Sequence, residues 1–314
     1  LLESLLYKEY QLIDQWDKVM SIYPVTDIGH MEPIRTLNAI EYEKHLVGHQ
    51  DKIDEVKKHL ASSPFVNGQM VKLKDEAHFF TWRHKNLGKA ILEYLFFKGK
   101  ITIHHRQGVK RFFSVSDQLI ESKHLLAKHP FKTEADFHKF QLLRRISSVG
   151  MLQAQSSDAY LGLYFKTPAR KAYLNELVLA GELLEIEVKT IKEPFYILAA
   201  DKHFLNAVQR EERVEFLAPL DNLMWDRKMI AKIFDFEYRW EIYHTPQKRR
   251  FAPYALPILY NTDFIGQIEC VVNRKQKQLE VLNVWYKNQM PTDNVLKLIE
   301  NRVDDMAVFN GCKK

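Results

Sequence analysis

The feature that most constrains this fold is a repeat. Residues 89–101 and 171–183 align at a constant offset of 82. Lys89 falls on Lys171, Ala90 on Ala172, Leu92 on Leu174, Leu95 on Leu177 and Gly99 on Gly181. Self-similarity of this kind means one supersecondary unit used twice. In each copy an amphipathic helix runs into a Gly suited to the left-handed position after a helix end. Two strand-like runs then follow. The first pair is 101–106 and 109–115, joined at Gln107-Gly108; the second is 183–188 and 194–198, joined by 189–193. A helix, a Gly stop and a hairpin outline a winged helix, a helix-turn-helix variant with a hairpin wing. Any helix–hairpin unit of an α+β domain shares that outline, and the pattern alone does not choose between them.

Around the repeat, the spacing of apolar residues sketches the remaining domains. Leu6, Tyr10, Ile13, Trp16 and Met20 recur at helical spacing, which predicts a helix over 7–20. Residues 41–60 are highly charged and are expected to form one or two exposed helices, ended by Ser62-Ser63-Pro64. The chain opens on Leu1-Leu2 without Met or an N-cap residue and reads as the interior of a helix, so a segment is expected before Leu1. Beyond Glu215, β-rich runs at 238–243, 255–260, 264–272 and 278–286 alternate with turn signals, the spacing of a small antiparallel barrel or sandwich. A helix closes the chain over 291–309, with Gly311 past its end. The expected class is α+β: a helical lead-in (1–63), tandem winged helices (64–130 and 131–205), a β-barrel-like domain (206–290) and a C-terminal helix (291–314).

Charge is concentrated rather than spread. Between 83 and 111 stand eight cations and one acid, Glu93, a net +7 against +6 for the whole chain. These cations are Arg83, Lys85, Lys89, Lys98, Lys100, Arg106, Lys110 and Arg111, with His84, His104 and His105 adding charge when protonated. A basic hairpin is shaped to lie along a phosphate backbone, where counterion release supplies affinity. The second copy carries Lys166, Arg170 and Lys171 at its helix start, but four glutamates line its wing. A further basic run, Lys248-Arg249-Arg250, lies between β-rich segments. The expected DNA contacts are Arg83, Lys85, Lys89, His104, His105, Arg106, Lys110, Arg111, Lys166, Arg170, Lys171, Lys248 and Arg249. Adjacent His104 and His105 should point to opposite faces of a strand, which excludes their chelating one metal together.

Other chemistries find little support. Cys270 and Cys312 are too few for a disulfide scaffold or a cysteine zinc site, which places the chain in a reducing cytoplasm. No apolar run approaches the length of a membrane span, and no phosphate loop, Ser-His-Asp series or HExxH is present. No cofactor and no metal are expected. Asp226 beside Arg227 reads as a structural ion pair.

One long stretch carries a family resemblance. Pro219-Leu220-Asp221 leads to Trp225-Asp226-Arg227. Phe234-Asp235-Phe236-Glu237-Tyr238, Glu241-Ile242-Tyr243, Lys248-Arg249 and Tyr254-Ala255-Leu256-Pro257 follow. Together with residues 82–106 and the segment from Leu12 through Trp16 to Pro24, this resembles the winged-helix DNA glycosylases (YcaQ/AlkZ-like) that repair alkylated and crosslinked DNA. The resemblance implies three winged helices and a β-barrel, double-stranded DNA as partner, a monomer and no cofactor. Trp225, Asp226, Arg227, Glu241 and Tyr243 would be family-motif residues. The family keeps a catalytic Gln-x-Gln or Gln-x-Asp in its first winged helix, expected upstream of Leu1, so the catalytic residues are unassigned. Gln153-Ala154-Gln155 spells that motif, but it lies where the last winged helix needs scaffold. The rival reading is a DNA-binding regulator or chromatin-associated factor without catalysis.

Overall fold

A computed structural model describes residues 1–73, 86–155, 157–189, 191–206 and 212–313. In chain order its elements are α1 (Leu2–Tyr7), β1 (Leu12–Trp16), β2 (Met20–Pro24), α2 (Glu32–Leu46), α3 (Gln50–Ala61), α4 (Leu87–Phe97), β3 (Ile101–Gln107), β4 (Lys110–Val115), α5 (Ser122–Leu125) and α6 (Glu134–Val149). Then come β5 (Leu152–Gln153), α7 (Thr167–Leu179), β6 (Leu183–Ile186), β7 (Phe195–Leu198), β8 (Val214–Phe216), α8 (Arg227–Phe234), β9 (Leu256–Tyr260), β10 (Asp263–Asn273), β11 (Gln278–Tyr286) and α9 (Asp293–Phe309). Short 3-10 turns join several of them. The chain divides into two compact units, Leu1–Phe137 and His138–Lys314.

In the first unit the organising element is α4. Nine of its eleven residues are buried, including Ile91, Leu92, Leu95 and Phe96. A helix apolar around its circumference belongs inside a core rather than on it. Asn86 starts it by accepting the Lys89 backbone N–H, an ordinary side-chain N-cap. Tyr42 and Leu46 of α2 and Ile53, Val56 and Leu60 of α3 pack on it. The charged 41–60 segment is therefore two amphipathic helices whose apolar faces complete the core, not merely an exposed surface.

The helix expected over 7–20 is absent. Helix α1 ends at Tyr7, Tyr10 takes a left-handed φ of 51°, and β1 and β2 pair as an antiparallel hairpin with Asp14 opposite Ile22. Tertiary demands override the local period here: β1 buries Ile13, Asp14 and Gln15, and its last residue, Trp16, meets Phe97 of α4 edge-on at 6.0 Å.

The repeat survives in three dimensions. Gly99 and Gly181 both take left-handed φ (69° and 74°). Gly99 N–H donates to Phe96 and Lys100 N–H to Leu95; Gly181 N–H donates to Val178 and Glu182 N–H to Leu177. These are matching Schellman motifs. Hairpins β3–β4 and β6–β7 follow. Each also gains a short third partner: Val66 bridges Phe113, and Gln153 of β5 pairs with Phe195. Phe113 and Phe195 are again 82 residues apart.

The second unit holds two cores. One joins α6, α7 and the β5–β7–β6 sheet with Met224, Met229, Phe236 and Phe264. The other lies between α9 (Val295, Ile299) and the β11–β10–β9–β8 sheet (Val214, Ile258, Ile268). The barrel expected over 206–290 is replaced by this four-stranded antiparallel sheet, which does not close among the described residues. Its shape has a local cause: 238–243 forms no strand but irregular chain ending in a 3-10 turn at Glu241–Tyr243.

Substitution of Gly99 or Gly181 by Ala should each cost about 1 kcal/mol, because only the left-handed backbone, not crowding, opposes a Cβ there. Asn at the same positions should recover part of the loss in denaturant unfolding.

Candidate nucleic-acid interface

The β3–β4 wing is built as its sequence suggests, with a tight tip at Gly108 (φ 58°) and Val109, which is 93% exposed. Its charges are arranged less simply. Arg106 forms a bidentate pair with Asp14, Nη2 to Oδ1 at 2.9 Å and Nε to Oδ2. Asp14 is buried and also accepts the Tyr7 hydroxyl at 3.1 Å. Burial, then the Asp14 charge, push the Tyr7 pKa up to about 12. Arg111 pairs in the same way with buried Glu93 of α4 and lies over the Phe113 and Phe96 rings. Lys98 pairs with Glu43 at 2.7 Å.

These pairings engage Arg106, Arg111 and Lys98 of the basic stretch within the fold itself. The described part of α4 is core, and only Lys89 of its charged residues points outward. Arg106 and Arg111 fasten the wing to β1 and α4. Lys89, Lys100 and Lys110 are exposed, and Lys110 reaches only Gln69 at 3.4 Å. Arg83 and Lys85 lie outside the described residues.

The two wing histidines also differ from expectation. A bulge between Ile103 and His105 breaks the alternation, and their Nδ1 atoms sit 2.8 Å apart instead of on opposite faces. His105 stacks on Phe112 with ring centroids 4.4 Å apart. Burial first, and the neighbouring His104 second, lower its pKa. His105 therefore adds less charge near neutrality than an exposed histidine. Among the described residues, no group of three or more metal-ligating side chains assembles.

In the second unit Lys166 and Lys171 are exposed, as a contact requires, but Arg170 is 4% exposed. Its Nη1 donates to Ala154 O at 3.0 Å, and its guanidinium lies 4.0 Å from the Tyr160 ring centroid. Arg170 is thus an interior residue. Gln153 is buried too: it donates to Glu193 O and accepts Lys232 Nζ, while its carbonyl receives the Tyr160 hydroxyl. That is scaffold, and nothing in it presents a reactive group.

The family-motif residues resolve into two local devices. Asp226 is the N-cap of α8, accepting Met229 N–H at 3.0 Å, so the expected Asp226–Arg227 ion pair does not form. Arg227 instead lies over the Tyr238 ring, and Trp225 Nε1 donates to Leu220 O. Glu241, 2% exposed, accepts the backbone N–H groups of Arg250 and Phe251 at 2.9 and 2.8 Å. It thereby folds the Lys248-Arg249 loop back on itself, and Arg249 Nε reaches Glu241 O. Beside that loop Tyr243 stands 84% exposed, edge-on to Trp240. Periodicity alone could not have found the Glu241 device, because both its partners are main-chain groups.

A sequence profile described as DNA glycosylase AlkZ-like matches residues 1–308. The chain belongs to that family, a class of DNA-repair protein. Among solved structures it is similar to the Streptomyces sahachiroi DNA glycosylase AlkZ. The TM-score is 0.58 at 13% identity, over 98% of this chain and 81% of that one.

Two outcomes follow from these buried carboxylates. Asp14→Asn leaves Arg106 without its anion and should lower unfolding free energy by about 2 kcal/mol, less than a fully buried pair because part of Arg106 is solvated. Glu241 carries an acid signature. Burial, the largest influence, raises its pKa, but the Arg250 and Phe251 N–H groups and nearby charges outweigh it, and the net shift is downward. A lowered folded pKa stabilises above the unfolded value and is lost as pH falls through the folded one. Wild-type stability should therefore decline below about pH 4.5, the ordinary value for Glu, and Glu241→Gln should remove that part of the decline in acid unfolding curves.

Proposed function

We propose that this chain binds double-stranded DNA through winged-helix units at 64–130 and 131–205 and takes part in hydrolysing the N-glycosidic bond of alkylated or crosslinked bases. The observation that carries the reading is the AlkZ-like DNA glycosylase family match over residues 1–308. The repeated helix, Schellman turn and antiparallel hairpin support the winged-helix assignment. Exposed Lys89, Lys110, Lys166 and Lys248 supply phosphate-seeking charge without base readout, which suits an enzyme that meets lesions in any sequence. Two free thiols suit a reducing cytoplasm. Among the described residues, no helix is long and apolar enough to cross a membrane. The reading takes the protein as a monomer without cofactor.

The chemistry asks little of side-chain basicity. An alkylated purine already bears positive charge, so it departs with the bonding electron pair of the N-glycosidic bond and becomes neutral. Water adds its oxygen to the sugar C1′, and its spare proton passes to a base or to solvent. The protein's contribution is to hold the duplex and place that water. The residues described here do the holding; none is assigned the water.

The test is abasic-site formation by the full-length protein on alkylated duplex, read as strand breakage after alkali. Breaks on alkylated but not undamaged duplex are expected. Tight binding of alkylated duplex without breaks would contradict the glycosylase reading and favour the non-catalytic regulator.

A further inference from the structure

The second unit contains an open cavity of about 760 Å³ whose wall is positive in an unusual way. Helices α7 and α8 both begin on it, through Lys166-Thr167 and Asp226-Arg227-Lys228. Each helix start carries roughly half a positive charge from its unpaired N–H groups. The α7 start has no side-chain cap, and Pro168 in its first turn offers no N–H of its own. The α8 start is capped, which commits the Asp226 carboxylate to Met229 N–H.

Four cations line the same cavity: Lys166, Arg170, Arg227 and Lys228. Among the described residues none of the four is ion-paired. The contrast with the first unit is direct, since Arg106, Arg111 and Lys98 there each hold a carboxylate. Arg170 is more than nine-tenths buried, yet its Nε finds no acceptor, and neither does the buried Nε of Arg227. Burial lowers the Arg170 pKa, and the charge interaction with Tyr160 offsets that only in part. A guanidinium stays charged in proteins, and leaving one buried without a counter-ion is costly. Asp158 is the other acid on the wall, so cations outnumber carboxylates there even before the helix ends are counted.

We propose that this cavity seats one phosphodiester of the DNA backbone, gripped between the starts of α7 and α8 with Lys166 and Lys228 closing on it and Arg170 supplying buried charge behind. The assignment rests on the DNA reading above and deepens it. It moves the firmest backbone contact away from the 83–111 stretch, where eight cations stand against one acid. It also recruits Arg227 and Lys228, which the sequence did not mark as DNA contacts.

The test is the salt dependence of duplex binding by Lys166→Ala/Lys228→Ala, two exposed positions whose loss leaves the core intact. Each neutralised phosphate contributes a slope of about −0.9 in log K against log salt. The double variant should bind undamaged duplex about tenfold more weakly near 0.1 M salt, with a slope shallower by about one. Lys297→Ala on α9, exposed and outside the cavity, should match wild type. A double variant with the wild-type slope overturns the proposal. So does a wild-type Tm raised by inorganic phosphate at matched ionic strength but not in the variant, with the duplex slope unchanged in both; that result assigns the cavity to free phosphate. Abasic-site formation is scored separately. Loss of the glycosylase reading with a shallower variant slope still supports the seat, while full activity with an unchanged slope overturns the seat alone.

Discussion

Helix α4 is apolar on nearly every side, and the first unit is arranged around burying it. Helices α2 and α3 cover part of its surface, β3 and β4 follow from its Schellman turn, and the β1–β2 hairpin brings Trp16 against Phe97. Once such a helix is the core, its one buried acid, Glu93, must be answered by a cation. Arg111 on the wing answers it, and Arg106 answers Asp14 on β1. The wing's orientation is thus fixed by two arginine–carboxylate pairs, and both wing arginines, Arg106 and Arg111, are engaged by the fold itself.

The second unit uses the same local design with a different economy of charge. Its α7 retains an outward face, its wing is acidic, and Lys166, Arg170, Arg227 and Lys228 gather without ion pairs where two helices begin. Buried Glu241 does for the Lys248-Arg249 loop what Asp14 does for Arg106, but through main-chain N–H groups. The two units therefore differ in how their charges are arranged. One presents a rigid wing bearing a few free lysines, and the other presents a positive recess.

Much of this was legible in the sequence. The 82-residue offset located both helices, both Gly stops and both hairpins, because Gly99 and Gly181 have physical reasons to be glycine. The family resemblance rested on 217–257, where Asp226 and Glu241 now have structural roles. Other features were hidden for equally physical reasons. The stripe from Leu6 to Met20 satisfied a helical period, yet Asp14 and Trp16 are needed on a strand, and long-range partners decide between the two. Counting charge gave the right total for 83–111 but not its use, since the acids that neutralise Arg106 and Lys98 lie at Asp14 and Glu43, far away in the chain. The His104 bulge defeated strict alternation. The α7–α8 recess joins residues some 60 positions apart, and no spacing rule brings Lys166 to Lys228.

The central claim is that arginines hold the wing while lysines hold DNA. It is tested most directly by measuring thermal unfolding and duplex affinity together for Arg106→Ala and Arg111→Ala on one side and Lys89→Ala and Lys110→Ala on the other. The account requires the arginine variants to lose several degrees in Tm while keeping the salt slope of binding. It requires the lysine variants to keep Tm and bind duplex more weakly, whatever its sequence. Arginine variants that unfold like wild type but lose affinity would show that Asp14 and Glu93 release their partners to DNA, and the account would be wrong.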